Sequence, residues 1–427
     1  MKLLTFYKKQ VEESILPFWL RAFDYEFGGV YTCFNNEGTE LLSTDKYVWS
    51  QGRYLWLLSK LYEMNQQGKI EVDPDTVKKQ AGLTLEFLRK NVLLPDGSCT
   101  FLLTREGIKK EVDPGTGFDS SIFADCFVLL GFSRYMKAFG KHQVVFEWIW
   151  NLYLNVENRI KSNSYKTHPY PTPEGMKTHS IPMIMLNVTQ ELKTCLSGFD
   201  IRKEAYLESK ETEYMDIILN EFCNPEYRIG EMLYLDSARD DSILTRHLNP
   251  GHSIEDSWFI IHSALSKDRK DIVDKAYHIA MKALELGWDK DSGGILRYVD
   301  YEFGGKPQGK LGDDPLSKLI HETWDYKLWW PHSESLYALL LLDSIYQESE
   351  IEEWYMILHR YIFSMFPNCY KDTGEWIQIR KRNGEPEDRV VALPVKDPYH
   401  ILRNMLLIID LLSDNDSFAE IIESKLK

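Results

Sequence analysis

Short glycine-centred turns recur along the whole chain, and helical patterns of similar length fill the gaps between them. The turns are Phe27-Gly28-Gly29-Val30, Asp96-Gly97-Ser98, Glu174-Gly175, Ile229-Gly230-Glu231, Ser292-Gly293-Gly294-Ile295 and Thr373-Gly374-Glu375-Trp376. Their spacing averages about 69 residues, room in each unit for one hairpin and two ordinary helices. The first helix of each unit carries an apolar stripe at 3.6-residue spacing. The stripes are Val48, Leu55, Leu58 and Leu61; Ile122, Phe123, Phe127 and Leu130; Ile181, Ile184 and Val188; Trp258, Ile261 and Leu265; Leu336, Leu339 and Leu340; Leu402, Met405, Leu406 and Ile409. A second, more polar helix follows, as in Val77 to Leu93 or Ile351 to Met365. One helix pair cannot bury its inner stripe alone, and six pairs closed into a ring can. The expected fold is therefore an (α/α)6 barrel made by one domain, residues 1–427, with short hairpins at one end.

Composition narrows the partners. With 50 basic and 65 acidic side chains the net charge is −15, which argues against nucleic acid and against anionic lipid. Twelve Trp and 24 Tyr fill cores and also stack on sugar faces, so a neutral carbohydrate fits better. The six cysteines, Cys33, Cys99, Cys126, Cys195, Cys223 and Cys369, form no Cys-x-x-Cys pair and read as free thiols of a reducing compartment. The first 17 residues mix Lys8, Lys9, Glu12 and Glu13 with apolar side chains, which breaks a signal-peptide core. No apolar run approaches the roughly 18 residues of a membrane span. A cytoplasmic location is expected.

Closing the ring gathers the first turns of the inner helices at one mouth. Arg53 belongs to unit one, Asp125 to two, His179 to three, His252 and Glu255 to four, Trp330, His332 and Glu334 to five, and His400 and Arg403 to six. His252 and Glu255, three apart on one helix face, make a candidate general acid or base with a carboxylate to orient it. His400 stands three before Arg403, whose guanidinium can hold an oxyanion or a hydroxyl. Each histidine taken alone also fits a helix cap. Two on opposite sides of one pocket suit a proton leaving one face of a carbon and returning to the other, because imidazole titrates near pH 6.5.

Other residues have their own readings. Trp329 and Trp330 can wall the pocket, with Glu334 bonding a sugar hydroxyl or tuning a histidine. Arg53, placed after a turn at Gly52, can steady an oxygen as it becomes an enolate, or pair with Glu63. Asp125, in an apolar stripe, needs a partner such as Arg53 or a ligand. His179 is a pocket residue or a structural one. Phosphate loops, dinucleotide fingerprints, His-Glu-x-x-His and Gly-x-Ser-x-Gly are absent from the sequence, and no metal site is expected.

The segments Gly28-Gly29-Val30-Tyr31-Thr32-Cys33, Tyr47-Val48-Trp49-Ser50-Gln51-Gly52-Arg53, Asn249-Pro250-Gly251-His252-Ser253-Ile254-Glu255 and Lys327-Leu328-Trp329-Trp330-Pro331-His332-Ser333-Glu334, with the region around His400, resemble the N-acylglucosamine 2-epimerase family. That family also includes cellobiose and mannose 2-epimerases and aldose–ketose isomerases. The resemblance implies the same barrel, His252 and His400 as catalytic histidines, and Arg53, Glu255 and Glu334 as polar pocket residues. It implies removal of the C2 proton of a ring-opened sugar, an enediol-like intermediate, and reprotonation from the other face, without a redox cofactor. Some members are activated by a nucleotide. The Pro398-Tyr399-His400 context resembles the disaccharide epimerases, and Trp-Trp-Pro-His-Ser-Glu the N-acyl sugar enzymes. A sugar 2-epimerase interconverting N-acetylglucosamine and N-acetylmannosamine is the leading expectation, with an isomerase next. A glycoside hydrolase using a carboxylate pair such as Asp125 and Glu334 is an alternative from another class. Tyr301 to Thr323, longer than its counterparts, is expected to be a lid or a homodimer contact.

Overall fold

A computed structural model describes residues 2–367, 373–389, 393 and 396–414. Among them, six inner helices form a ring: α3 (Val48–Gln66), α5 (Ile122–Phe139), α7 (Ser180–Leu196), α10 (Pro250–Ser266), α13 (Trp329–Tyr346) and α15 (Tyr399–Asp414). Each packs on the next, and α15 packs back on α3. This is the (α/α)6 barrel. An outer helix backs each inner one: α4 (Pro74–Asn91), α6 (Gln143–Lys161), α8 (Ile201–Ile217), α11 (Lys270–Gly287) and α14 (Ser349–Met365). The sixth outer position is filled from the other end of the chain. There α1 (Leu3–Lys9) runs through a π-helical stretch, Gln10–Ile15, into α2 (Leu16–Arg21) and covers α15. The chain thus closes its own ring, and Tyr7 seals the seam with a 2.8 Å hydrogen bond to Tyr355.

The first five inner helices are each followed by a short link to an outer helix that returns the chain to its starting end, so successive inner helices run in one direction. The hairpin end carries β1 (Lys46–Tyr47), β2 (Leu102–Leu103), β3 (Lys109–Lys110), β4 (Met176–Thr178), β5 (Met232–Tyr234), β6 (His247–Leu248), β7 (Val299–Asp300), β8 (Lys327–Leu328) and β9 (Ile379–Arg380). The strands pair antiparallel as β1-β2-β3, β4-β5, β6-β7 and β8-β9. At the opposite end, ion pairs of Lys60 with Asp410, of Arg134 with Glu63 and Glu191, and of Lys193 with Glu211 tie neighbouring helices together. One mouth is therefore rimmed by loops that can hold a ligand, and the other is cross-braced.

Two sequence expectations need correction. Gly230 is not a turn residue: the turn lies at Asn224–Tyr227, with Tyr227 at φ 62°, and Gly230 lacks a side chain because one would collide with Arg239. Gly52 lies inside α3, where a Cβ would stand 2.3 Å from the Phe127 carbonyl. There α3 and α5 meet backbone to backbone, with Gly131 opposite. The segment after β7 leads into α9's neighbour α12; α9 (Ile243–Arg246) and α12 (Pro315–Thr323) contact each other. Leu316, Leu319 and Ile320 pack there with Met176, Met232, Ile243, Leu244 and Tyr298 in a small apolar core of its own over the mouth. Cys33, Cys99, Cys126 and Cys195 are buried free thiols and Cys223 is half-buried; Cys369 lies outside the described residues. Among the described residues no helix is long and apolar enough to cross a membrane.

Candidate active site

At the hairpin end a cavity of about 340 Å³ is lined by residues from all six inner helices or the loops before them, among them Arg53, Phe127, Met183, His252, Glu255, Trp330, Asp397, His400 and Arg403. Local sequence explains each placement. Asn249 caps α10 by accepting the N–H of His252 at 3.3 Å, and Pro250 fixes the first turn, so His252 emerges at the mouth. A Cβ on Gly251 would press on Trp330. Without one, the indole packs near both histidines, its centroid 5.2 Å from the His252 ring and 5.7 Å from the His400 ring. The imidazole centres therefore lie within about 11 Å of each other. The glycine contact of α3 with α5 brings Arg53 over Phe127, guanidinium to ring centroid 3.9 Å.

Both histidines are held through Nδ1 by a carboxylate. His252 Nδ1 stands 2.9 Å from Glu231 Oε2, and His400 Nδ1 stands 2.7 Å from Glu334 Oε1. Burial pushes the Glu231 carboxyl up, but His252 and His179 outweigh it and hold the group well below the usual carboxylate range. For Glu334 burial is likewise overcome, by Arg403 and then His400, leaving it at about 2. An ionised carboxylate only accepts, so each Nδ1 donates. In a neutral imidazole this leaves Nε2 as the free base.

The groups behind the carboxylates differ. Glu231 Oε1 faces His179 Nδ1 at 3.7 Å, and His179 Nε2 pairs with Asp256 Oδ2 at 2.9 Å. Burial lowers the affinity of His179 for its proton, but Asp256 and Glu231 prevail and raise it to about 9. Glu334 instead accepts from Arg403 Nη2 at 2.5 Å and from Trp258 Nε1 at 2.9 Å, while Arg403 also bonds Glu255. Burial opposes the Arg403 charge, and Glu334 with Tyr399 and Glu255 holds it on, well above the ordinary value.

Several expected roles change. Glu255 does not orient His252; it pairs with Arg403 on the His400 side. Arg403 lines the cavity, but its Nη2 is committed to two carboxylates rather than left for an oxyanion. Glu334 has no exposure and contacts His400 rather than the cavity. His179 is fully buried behind Glu231, so it is not a substrate contact. Asp125 is also buried, accepting from the Cys99 N–H at 2.8 Å and pairing with Arg159, not Arg53, at 2.7 Å. Burial first, against Arg159, pushes its carboxyl up to about 6. That removes one of the two acids of the hydrolase alternative from the cavity. His332 accepts from the Ile295 N–H at 2.8 Å and bonds the Leu328 carbonyl, a strut under the hairpin. Glu63 pairs with Arg134 and Lys137.

Sequence reading does not mark Glu231, Asp256 and Asp397 as site residues, and it reads Trp258 only as part of an apolar stripe. Glu231 falls in a glycine-centred turn pattern, and Asp256 beside a more conspicuous glutamate. Among the described residues two sets of donor atoms lie close enough to hold a metal ion: His179, Glu231 and His252; and Glu255, Glu334 and His400, each within 4.8 Å. In the second the Arg403 guanidinium already bonds both carboxylates. In both, carboxylate–imidazole hydrogen bonds supply what proton transfer needs.

The family model described as N-acylglucosamine 2-epimerase (GlcNAc 2-epimerase) matches residues 29–404. Over 422 residues the chain is 25% identical to the N-acylglucosamine 2-epimerase of Mus musculus, covering 94% of this chain and 90% of that protein. It is 21% identical to a cellobiose 2-epimerase of Eubacterium cellulosolvens, covering 94% and 96%. The fold is similar to the solved structure of a cellobiose 2-epimerase from Bacillus thermoamylovorans, with a TM-score of 0.75 at 16% identity, covering 95% and 98% of the two chains.

Proposed function

The chain belongs to the N-acylglucosamine 2-epimerase family, and on that premise we propose that it is a sugar 2-epimerase, interconverting N-acetylglucosamine and N-acetylmannosamine. The observation that carries the reading is the pair of histidines that both pack near Trp330 in one cavity, each with Nδ1 tied to an ionised carboxylate. Proton transfer to both faces of one carbon requires nitrogens on opposite sides, each roughly 3–3.5 Å from it. Ring centres within about 11 Å allow that separation. In the open-chain sugar, one neutral imidazole takes the C2 proton and the other, as imidazolium, returns one to the opposite face. Arg53, fixed on the Phe127 ring, balances charge developing on O1. Removal and return of a proton invert the centre, so the reaction calls for no redox cofactor.

The relatives named N-acylglucosamine 2-epimerase support this substrate. The relative named cellobiose 2-epimerase supports a disaccharide as the next to test. Aldose–ketose isomerisation is a second reading, because the same intermediate can be protonated at C1. Incubation of each sugar in D₂O, with the label located by NMR, decides. Deuterium at C2 of an aldose product is the expected result; deuterium at C1 with ketose formed replaces epimerase by isomerase. No exchange into any of these sugars rejects both.

A further inference from the structure

The two oxygens of Asp397 are used unequally. Oδ1 accepts the N–H of Tyr399 at 2.9 Å, where α15 begins, and the Asp397 N–H donates to Gln378 Oε1 at 3.0 Å. Backbone and one oxygen are thus pinned. Oδ2 is buried and takes no hydrogen bond, although it lies 3.6 Å from Arg53 Nη1 and 3.6 Å from His400 Nε2 in the cavity wall. That distance is too long for a hydrogen bond, and buried polar atoms without a partner are rare enough to need a reason.

The chemistry of the two groups restricts what belongs between them. Arg53 can only donate and an ionised Asp397 can only accept. A group that satisfies both must accept from one and donate to the other. A hydroxyl does so; a carbonyl oxygen has no proton to give, and an amide N–H cannot accept. The epimerase reading places O1 of the open-chain sugar at Arg53. In the closed ring the same oxygen is a hydroxyl.

We propose, resting on that epimerase reading, that Asp397 is a further catalytic residue: the base that opens the sugar ring by taking the proton of the anomeric hydroxyl. The O1–H bond breaks, its proton passes to Asp397 Oδ2, and its electron pair forms the C1=O1 double bond as C1–O5 breaks. O5 keeps the C1–O5 pair and takes the Nε2 proton of a protonated His400. The carbonyl oxygen stays at Arg53, and His400 is left neutral, the state in which it can accept the C2 proton. After the C2 transfer His400 passes that proton to water. Ring closure then reverses both opening transfers, Asp397 returning its proton to O1 and neutral His400 taking the proton of the O5 hydroxyl, while His252 regains a proton from water.

Ring opening can be read separately from epimerisation, as exchange between the α and β anomers of N-acetylglucosamine followed by NMR with the full-length protein. Wild type is expected to accelerate exchange, and Asp397→Asn, which keeps the shape and loses the base, to reduce that acceleration roughly 100-fold. Unchanged exchange in a folded Asp397→Asn protein overturns the proposal and leaves the epimerase reading standing. Acceleration by wild type without C2 labelling in D₂O does the reverse. Failure of wild type to accelerate exchange also overturns the proposal. Should the variant not fold, the 1,5-anhydro analogue of N-acetylglucosamine, which lacks the anomeric hydroxyl, tests the contact in wild type. It is expected to bind at least about tenfold more weakly than the parent sugar; equal affinity overturns the proposal.

Discussion

His252 and His400 present the same cavity with imidazoles held in the same way, yet the two halves of the site are built from different materials. Behind His252 runs a chain of proton-sharing groups, Glu231, His179 and Asp256. Behind His400 stands a fixed charge, Arg403, clamped between Glu334 and Glu255. The first can gain or lose a proton as pH passes through about 9, where His179 titrates. The second cannot, because guanidinium stays charged. The helix α10 serves both halves with consecutive residues, Glu255 toward Arg403 and Asp256 toward His179. A side chain a hundred degrees further round the helix thus reaches the opposite support. The difference teaches that two imidazoles lining one cavity can be held by separate means, one by a chain of titratable groups and one by a permanent ion pair.

The harshest test of the comparison removes each imidazole in turn. His252→Ala and His400→Ala should each cut epimerisation by about 10³–10⁴-fold, the upper part of the range for a positioned acid or base. Circular dichroism should be unchanged. If the halves serve opposite faces, each variant should still exchange the C2 proton of one epimer with D₂O and fail on the other, and the two variants should differ in which. Loss of exchange in both epimers with either variant would show that the halves do not divide the faces between them.

Next in size is the contrast between the two carboxylates. Glu334→Gln leaves Arg403 buried with one anionic partner fewer, and breaking a buried ion pair costs about 3–5 kcal/mol. A large fall in Tm should accompany its loss of activity. Glu231→Gln removes no guanidinium partner. It should cost turnover about 100-fold, because a carboxamide can donate as well as accept and no longer fixes the His252 tautomer, with a smaller change in Tm. Equal destabilisation by both would remove the distinction between relay and ion pair.

Much of this was legible in the sequence, for a physical reason. Turn glycines and 3.6-residue stripes reflect the local backbone and burial, so the six-fold barrel could be read directly. His252, His400 and Arg53 follow from their place at or near helix starts in the ring. Pairing across units was harder to read, because it depends on distances between segments far apart in the chain. Glu255 lies three residues from His252, and helix spacing suggested that they interact. The tertiary fold instead brings Glu231, 21 positions away, to His252 and turns Glu255 to Arg403, 148 positions away. Asp125 stood out as polar in an apolar stripe, which is equally the signature of a buried pair such as the one it makes with Arg159. Asp125→Asn should accordingly lower Tm and leave the KM for N-acetylglucosamine unchanged; a raised KM with normal Tm would restore it to the pocket.

The pH dependence of stability sharpens the comparison further. His179 has its proton affinity raised in the folded state, from an ordinary value near 6.5 to about 9. A raised pKa means that the folded chain binds more protons, so this stabilisation is fully present below pH 6.5 and is lost as pH rises through about 9. The shift corresponds to roughly 3 kcal/mol. Denaturant titrations at pH 6 and pH 9.5 should show wild type losing more stability than His179→Gln. The corresponding comparison with Arg403→Gln should show no such difference, because the guanidinium does not titrate there. A His179→Gln profile parallel to wild type would deny the relay its charged histidine.

The smallest expected effect concerns the indole shared by both halves. Trp330 packs near both imidazoles, with ring centroids 5.2 Å and 5.7 Å away. Its replacement by Phe keeps an aromatic face but shortens the wedge. Since aromatic contacts of this kind contribute about 0.5–1.5 kcal/mol beyond their buried area, Trp330→Phe should raise KM by roughly three- to tenfold. The effect should be similar for both epimers, because the indole packs at nearly equal distance from both histidines. A loss confined to one epimer would assign the indole to a single half. The spacing between the imidazoles would then have to be set by their separate supports, the Glu231 relay and the Arg403 clamp, without help from the indole.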